Sequence, residues 1–204
     1  MTRRLVIATT NAHKLGEIRG LLADVDVELL SLGHLPPIAE PEETGATFRA
    51  NARLKALYYD AHLAAGGMAE DTVTVAEDSG LVIDALDGDP GVRSARFLRP
   101  DASYAERFDE ISRRLAARPE QPRTARFICA LAVVRLGTVV FETQGIVEGE
   151  IAAAPRGSHG FGYDPIFHFP AYGGTLAEVS EKDKLRVAHR GQAFRALADW
   201  LRKA

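Results

Sequence analysis

The 204-residue chain has one cysteine, one tryptophan, two methionines and no long apolar run. With no second cysteine, Cys129 cannot form an internal disulfide, and a reducing compartment is the simplest setting. No stretch approaches the ~20 apolar residues that span a bilayer. After Met1-Thr2-Arg3-Arg4, the apolar segment Leu5 to Ala8 is too short for a secretory h-region. The chain is therefore expected to be a mature cytoplasmic protein with no membrane partner. An excess of basic charge is also missing. Lys and Arg number 25 against 28 Asp and Glu, a net charge of -3, which argues against a surface that grips a nucleic-acid backbone. A small anion such as one nucleotide needs only a few local cations. There is no repeat, no low-complexity tract and no obvious linker. What remains is an ordinary globular mixture, 46% apolar and 26% charged. It is enough for one domain, here expected to have two lobes.

Leu5 to Ala8 reads as a buried strand, followed by capping side chains in Thr9-Thr10-Asn11 and by Leu15, Ile18, Leu21 and Leu22 at helical spacing. Val27 to Leu32 reads as a second strand, and the segment 33–44, with three prolines and three glutamates, as a loop. Thr47 to Ala65 predicts a helix with Phe48, Leu54, Leu57 and Tyr58 near its apolar face. Val73 to Ala76 predicts a short strand ending at Glu77-Asp78-Ser79-Gly80. Ser103 to Ala117 predicts a helix, Arg126 to Arg135 and Thr138 to Glu150 a hairpin around Leu136-Gly137, and Gly191 to Lys203 a last helix. Strands and helices that alternate and are then interrupted by a hairpin imply an α/β fold with a mixed sheet.

Five segments combine residue types that suit phosphate or nucleotide chemistry, and each also has a plain structural explanation. Thr9-Thr10-Asn11-Ala12-His13-Lys14 sits where a strand gives way to a helix, whose free N–H groups favour phosphate. It equally fits a capped helix with a solvated lysine. Glu42-Glu43-Thr44-Gly45 precedes Asn51 and Lys55, which share a helix face at a spacing of four. These can address a phosphate and a loop, or simply cap the helix. In Glu77-Asp78-Ser79-Gly80 the two carboxylates point to opposite faces of a strand, so one of them enters a given site. Magnesium needs only one or two carboxylates, and Asp78 is the better placed. Gly157-Ser158-His159-Gly160-Phe161-Gly162-Tyr163-Asp164 offers close backbone approach and an aromatic suited to stacking on a base. Lys184, His189 and Arg190 supply donors for an acceptor-rich partner, or else a basic, solvated approach to the last helix.

The order of these blocks is more specific than any one of them. Thr-Thr-Asn-x-x-Lys, Glu-Glu-Thr-Gly-x-Thr-Phe-x-x-Asn-Ala-x-x-Lys-Ala, Glu-Asp-Ser-Gly-Leu, Pro-Gly-Val-x-Ser-Ala-Arg, Gly-Phe-Gly-Tyr-Asp-Pro-Ile-Phe and Lys-x-x-x-x-His-Arg-Gly follow one another along the chain. Together they resemble the inosine/xanthosine triphosphate pyrophosphatase family, from Val6 to near the C-terminus. The resemblance implies an elongated α/β fold with a mixed sheet, two lobes with an active-site cleft between them, and a homodimer. It implies magnesium-dependent hydrolysis of non-canonical purine triphosphates (ITP, dITP and XTP) to the monophosphate and pyrophosphate. By the same resemblance Thr9 to Lys14 and Lys55 bind the phosphates. Asp78 is the general base and a metal ligand, and Glu42 is a second metal ligand, with Glu43 left as an alternative. Ser79, Phe161, Gly162, Tyr163, Asp164, Lys184, His189 and Arg190 bind substrate.

Departures from the family pattern are few. Glu77 stands where Asp is usual, Ala50 where Glu is common, Ala188 where Ser usually precedes His-Arg, and Thr10 where Gly is frequent. Asp78 is retained. A related housecleaning pyrophosphatase for non-canonical pyrimidine nucleotides and a non-catalytic nucleotide sensor are the competing expectations.

Overall fold

A computed structural model of the protein describes residues 3–68 and 72–203; Met1 and Thr2, with which the N-terminal reading began, lie outside this range. The strands are β1 (Arg3–Ile7), β2 (Val27–Ser31), β3 (Thr72–Ile83), β4 (Thr124–Arg135), β5 (Thr138–Ile151), β6 (Phe167–Phe169) and β7 (Gly174–Thr175). The helices are α1 (Ala12–Leu21), α2 (Phe48–Ala65), α3 (Tyr104–Ala116), α4 (Glu181–Val187) and α5 (His189–Lys203). Strand order in the sheet is β2-β1-β3-β4-β5-β6-β7. β1 lies parallel to both β2 and β3, with Leu5 opposite Leu29 and Val73. Parallel neighbours require crossovers, and α1 and α2 provide them. β5 to β7 are antiparallel, with His168 opposite Glu150 and Thr175. This is the mixed α/β sheet that the sequence pattern implied. Among the described residues no helix is long and apolar enough to cross a membrane.

The chain forms two compact units. The first comprises Met1–Asp78, Cys129–Gly145 and Arg190–Ala204. Its core takes alternate residues of each strand, Leu5 and Ile7, Val73 and Val75, Cys129, Leu131 and Val133, and packs them on Ile18 of α1 and its C-cap Leu22, and on Ala193, Phe194, Leu197 and Leu201 of α5. Burying the apolar stripes of two helices against one sheet face drives this packing. α2 belongs to the same unit, but its buried face differs from the expected one. Phe48, Asn51, Ala52, Ala56, Tyr59, Asp60 and Leu63 are inside, and Leu57 is outside. Apolar spacing misassigned the face because two of its positions are polar residues with dedicated partners. Asp60 accepts hydrogen bonds from Thr74 Oγ1 at 3.1 Å and from the Gly137 backbone N–H at 2.8 Å. The latter ties α2 to the β4–β5 turn, where Leu136 and Gly137 both have positive φ, 51° and 73°, as a two-residue hairpin turn of right-handed twist requires.

The second unit comprises Ser79–Ile128 and Ile146–His189. Its core gathers Leu81, Ile83, Phe127, Val147, Ile151, Phe167 and Leu176 around Phe108, Ile111 and Leu115 of α3. α3 opens on a capping box, Ser103 with Glu106, of the kind that satisfies two otherwise orphaned N–H groups. The third strand corrects the sequence reading most. It runs to Ile83 instead of stopping at Ala76, so the Glu-Asp-Ser-Gly block is strand interior. Gly80 does not end it. A Cβ there would lie 2.3 Å from Ser94 Oγ and 2.7 Å from the Gly91 carbonyl. The glycine admits the Gly91–Arg96 3₁₀ segment against the strand, and Ser94 Oγ fixes it by accepting from Leu81 N–H at 2.9 Å and donating to Gly91 O at 2.6 Å.

Candidate active site

Asp78 and Glu77 are neighbours on a strand and therefore face opposite ways, and both directions are occupied. Asp78 points to α2. Its Oδ2 accepts from Asn51 Nδ2 at 3.1 Å and its Oδ1 from Lys55 Nζ at 3.0 Å, so the i, i+4 pair of α2 clasps both oxygens of one carboxylate. Lys55 Nζ also donates to Glu43 Oε1 at 2.7 Å. Asn51 Oδ1 accepts from the Gly45 N–H at 2.8 Å, and a Cβ on Gly45 would come within 2.5 Å of that oxygen. The acidic loop is thereby fastened to α2 by its glycine. Burial raises the Asp78 carboxyl above the usual aspartate value, reinforced by Glu43 and opposed by Lys55 and Asn51. Burial works against the charge on Lys55, but Asp78 and Glu43 outweigh it and hold the ammonium.

Glu77 points to α1 and α5. Lys14 Nζ is 2.9 Å from its Oε1, and Arg190 donates from Nε and Nη2 at 3.0–3.1 Å. The Cys129 thiol donates to Oε2 at 2.9 Å. Arg190 Nη1 reaches Glu17 Oε2 at 2.7 Å. Burial opposes ionisation of Glu77, but Arg190 and Lys14 hold it well below the usual carboxylate range. Burial and Glu77 together push the Cys129 thiol up, which keeps the proton it donates. The start of α1 is built as expected. Asn11 caps it, accepting from the Lys14 N–H at 3.1 Å. Thr9 Oγ1 accepts from the Asn11 N–H at 3.2 Å, and Thr10 Oγ1 donates to Glu40 Oε1 at 3.4 Å. Thr10, Asn11, Ala12 and His13 are exposed, with Thr9 and Lys14 half-buried, so the start of α1 lies at the surface beside one anchored ammonium.

In the second unit the glycine-rich segment forms a distinct cluster. Asp164 is buried, and its Oδ2 accepts from the Phe161 N–H and from Lys184 Nζ, each at 2.9 Å. The Lys184 ammonium lies 5.0 Å from the centroid of the half-buried Phe161 ring, a cation–π distance. Gly160 has φ 72° and a Cβ there would strike Asp164 Oδ2 at 2.2 Å, so the loop closes on the carboxylate only because that residue is glycine. His189 is buried and stacked on Phe127, with centroids 4.9 Å apart. Gly162 and Ser79 are half-buried.

A model of the Ham1 family matches residues 5–200. The chain belongs to the Ham1 family. Among curated relatives it is similar to the dITP/XTP pyrophosphatase of Nostoc sp., 44% identical over 198 residues covering 97% of this chain and 93% of the other. That of Geobacillus kaustophilus is 42% identical over 195 residues, covering 96% and 92%. Among solved structures it is similar to a HAM1 protein from Coxiella burnetii, with a TM-score of 0.87, 36% identity and full coverage of both chains. The family that the six sequence blocks resembled is thus the one the whole chain matches.

The motif residues differ in their surroundings. Tyr163 is in the core, its hydroxyl donating to Ser94 O at 2.9 Å and its ring edge-on to Tyr104. Lys184, His189 and Arg190 were open to reading as a solvated basic approach, and all three are buried. Arg190 belongs to the Glu77 network of the first unit, and α5 begins at His189 instead of Gly191. Glu42 is exposed, while Glu43 meets Asp78 on the Lys55 ammonium. Asn51, Glu43 and Glu77 were named in their segments, Glu43 as the alternative metal ligand, but the sequence did not show which groups they meet. Glu17 carried no sequence signal.

Proposed function

We propose that this protein hydrolyses non-canonical purine nucleoside triphosphates (ITP, dITP and XTP) to the monophosphate and pyrophosphate, clearing them from the nucleotide pool. The observation that carries the reading is the Asp78 carboxylate, buried, raised in pKa and clasped by Asn51 and Lys55 beside Glu43. The similarity to the dITP/XTP pyrophosphatases of Nostoc and Geobacillus supports it. Asp78 takes the proton of the attacking water. The new bond forms at the α-phosphorus, and the bond to the bridging oxygen breaks as pyrophosphate leaves. A positioned base of this kind contributes roughly 10²–10⁴-fold. Lys55, Lys14 and the positive end of the α1 dipole offset charge on the phosphates, with Thr9, Thr10, Asn11, Ala12 and His13 forming the rest of that segment.

Among the described residues no group of three or more His, Cys, Asp or Glu could hold a metal unaided. Mg²⁺ commonly takes one or two carboxylates and completes its shell with water and substrate phosphates, and the hard oxygens of Asp78 and Glu43 fit that habit. Glu43 replaces Glu42 as the second candidate ligand because it already converges with Asp78 on one ammonium. When bound, Mg²⁺ supplies charge neutralisation on the phosphate oxygens. In the second unit the Phe161 ring stacks on the base, and Lys184, oriented by Asp164, donates to the 6-oxo acceptor that adenine lacks. A donor left facing a donor can cost a site roughly 10⁴–10⁵-fold. The buried thiol of Cys129 suits a reducing cytoplasm, and we place the working form as a homodimer, to be checked by light scattering.

The test is pyrophosphate release from ITP, XTP, dITP, GTP, ATP and dUTP, with and without Mg²⁺, by the wild type and Asp78→Asn. Metal-dependent release from the 6-oxo purines, little from ATP and almost none from Asp78→Asn is expected. Release from the pyrimidine alone would move the protein to the other housecleaning chemistry. Binding without release would make it a sensor.

A further inference from the structure

Glu77 has no part in the reaction as described, yet it is 4% exposed and engages side chains from three other elements. Lys14 is the exception to the burial around it. The Glu77 side chain is 2% exposed and that of Lys14 21%, so the ammonium reaches out of a buried anchor at the open end of α1. A cation in the first turn of a helix is disfavoured by the helix dipole, and a free lysine carries the rotamer entropy of a long flexible side chain. The Glu77 carboxylate offsets the first and removes much of the second before any ligand arrives. α1 is held again one turn on, where Glu17 meets Arg190 at 2.7 Å, and Arg190 in turn grips both oxygens of Glu77. Lys14 and Glu17, three apart, thus fix the entry turn of α1 from one side. The carboxylate must come from position 77, because its neighbour at 78 faces α2.

We infer that Glu77 is a positioning residue for substrate binding, holding the Lys14 ammonium ready for the triphosphate while Arg190 holds Glu77. The inference rests on the reading of the α1 start as the phosphate site. It predicts that Glu77 acts on substrate through Lys14 and through nothing else. The test is a double-mutant cycle on the full chain, with steady-state pyrophosphate release from ITP for wild type, Glu77→Gln, Lys14→Met and the double variant. Glu77→Gln should raise KM for ITP roughly tenfold, within the coupling range of contacting residues, with a smaller fall in kcat. In the Lys14→Met background the same change should alter KM by less than about twofold, the non-additivity expected of one shared interaction. Glu77→Asp, which keeps the charge on a shorter arm, should restore part of the KM, and its own cycle with Lys14→Met serves if Glu77→Gln does not fold. An equal rise in KM in both backgrounds, or a fall in kcat alone, overturns the inference. A wild type inactive on every purine triphosphate overturns instead the reading on which it rests.

Discussion

Exchanging Asn51 for aspartate puts the clasp on Asp78 under the sharpest stress for the smallest change of shape. The new carboxylate still accepts the Gly45 N–H, but it sets an oxygen where Nδ2 stood, 3.1 Å from Asp78 Oδ2. At an effective dielectric of about 20 two unit charges at that separation repel by about 5 kcal/mol, equivalent at most to about 4 pKa units. Lys55 and local relaxation reduce this, so a penalty of roughly 3 kcal/mol is expected when both are ionised. Protonating one of the pair removes the repulsion and regenerates a donor to Asp78. The raised folded-state pKa then dictates the sign: the variant approaches wild-type stability in acid, and its deficit grows as pH rises from about 4 through the shifted pKa. Urea denaturation in EDTA at pH 5 to 8 measures the difference. Pyrophosphate release at pH 8 should fall at least roughly 10²-fold, the usual consequence of a misplaced catalytic group. A deficit independent of pH, or a variant as stable and active as wild type, would refute the claim that Asn51 and Asp78 are bonded and that the bond matters.

Two further expectations concern stability alone. Gly80→Ala forces a Cβ into Ser94 and Gly91 and should cost about 1–3 kcal/mol in thermal denaturation. Gly16→Ala in α1 meets nothing within 4 Å and should gain about 0.5–1 kcal/mol; equal effects would discredit the packing described at β3. On α3, Glu106 is held down to about 2, first by Arg99 and then by the Ser103 backbone and hydroxyl. Its contribution is present above about pH 4.5 and lost as pH falls toward 2, so Glu106→Gln should flatten the melting temperature across that interval, and an unchanged slope would count against the capping box.

Local chemistry was what the sequence disclosed. Asn11, within the expected capping run, caps α1, and the β4–β5 hairpin turns at the two residues expected; the cap of α2 is Thr47, a few residues past the Glu42-to-Gly45 segment to which capping was assigned. Those features depend on neighbours in the chain. The length of β3 was not legible, because Gly80 is read as punctuation until Ser94 and Gly91 are seen against it. The face of α2 was hidden by Asn51 and Asp60, polar residues buried for their hydrogen bonds. The Glu77 network joins residues up to 173 positions apart, and no spacing rule connects such partners. Tyr163 sat in a motif that pointed to ligand contact, while its burial is set by α3, a segment the motif does not include.

The two adjacent carboxylates of β3 have a consequence for how this gene can change. Because alternate residues of a strand face opposite ways, deleting one residue in Thr72–Ala76 would carry Asp78 into the place of Glu77, facing Arg190, and inserting one would carry Glu77 into the place of Asp78, facing Lys55. In either case the arm length would no longer suit the partners, and one of the two carboxylate clusters would lose its acid. A change of length is therefore expected to cost more in β3 than in a largely exposed stretch such as 36–39, so that β3 can drift in side chain but not in number.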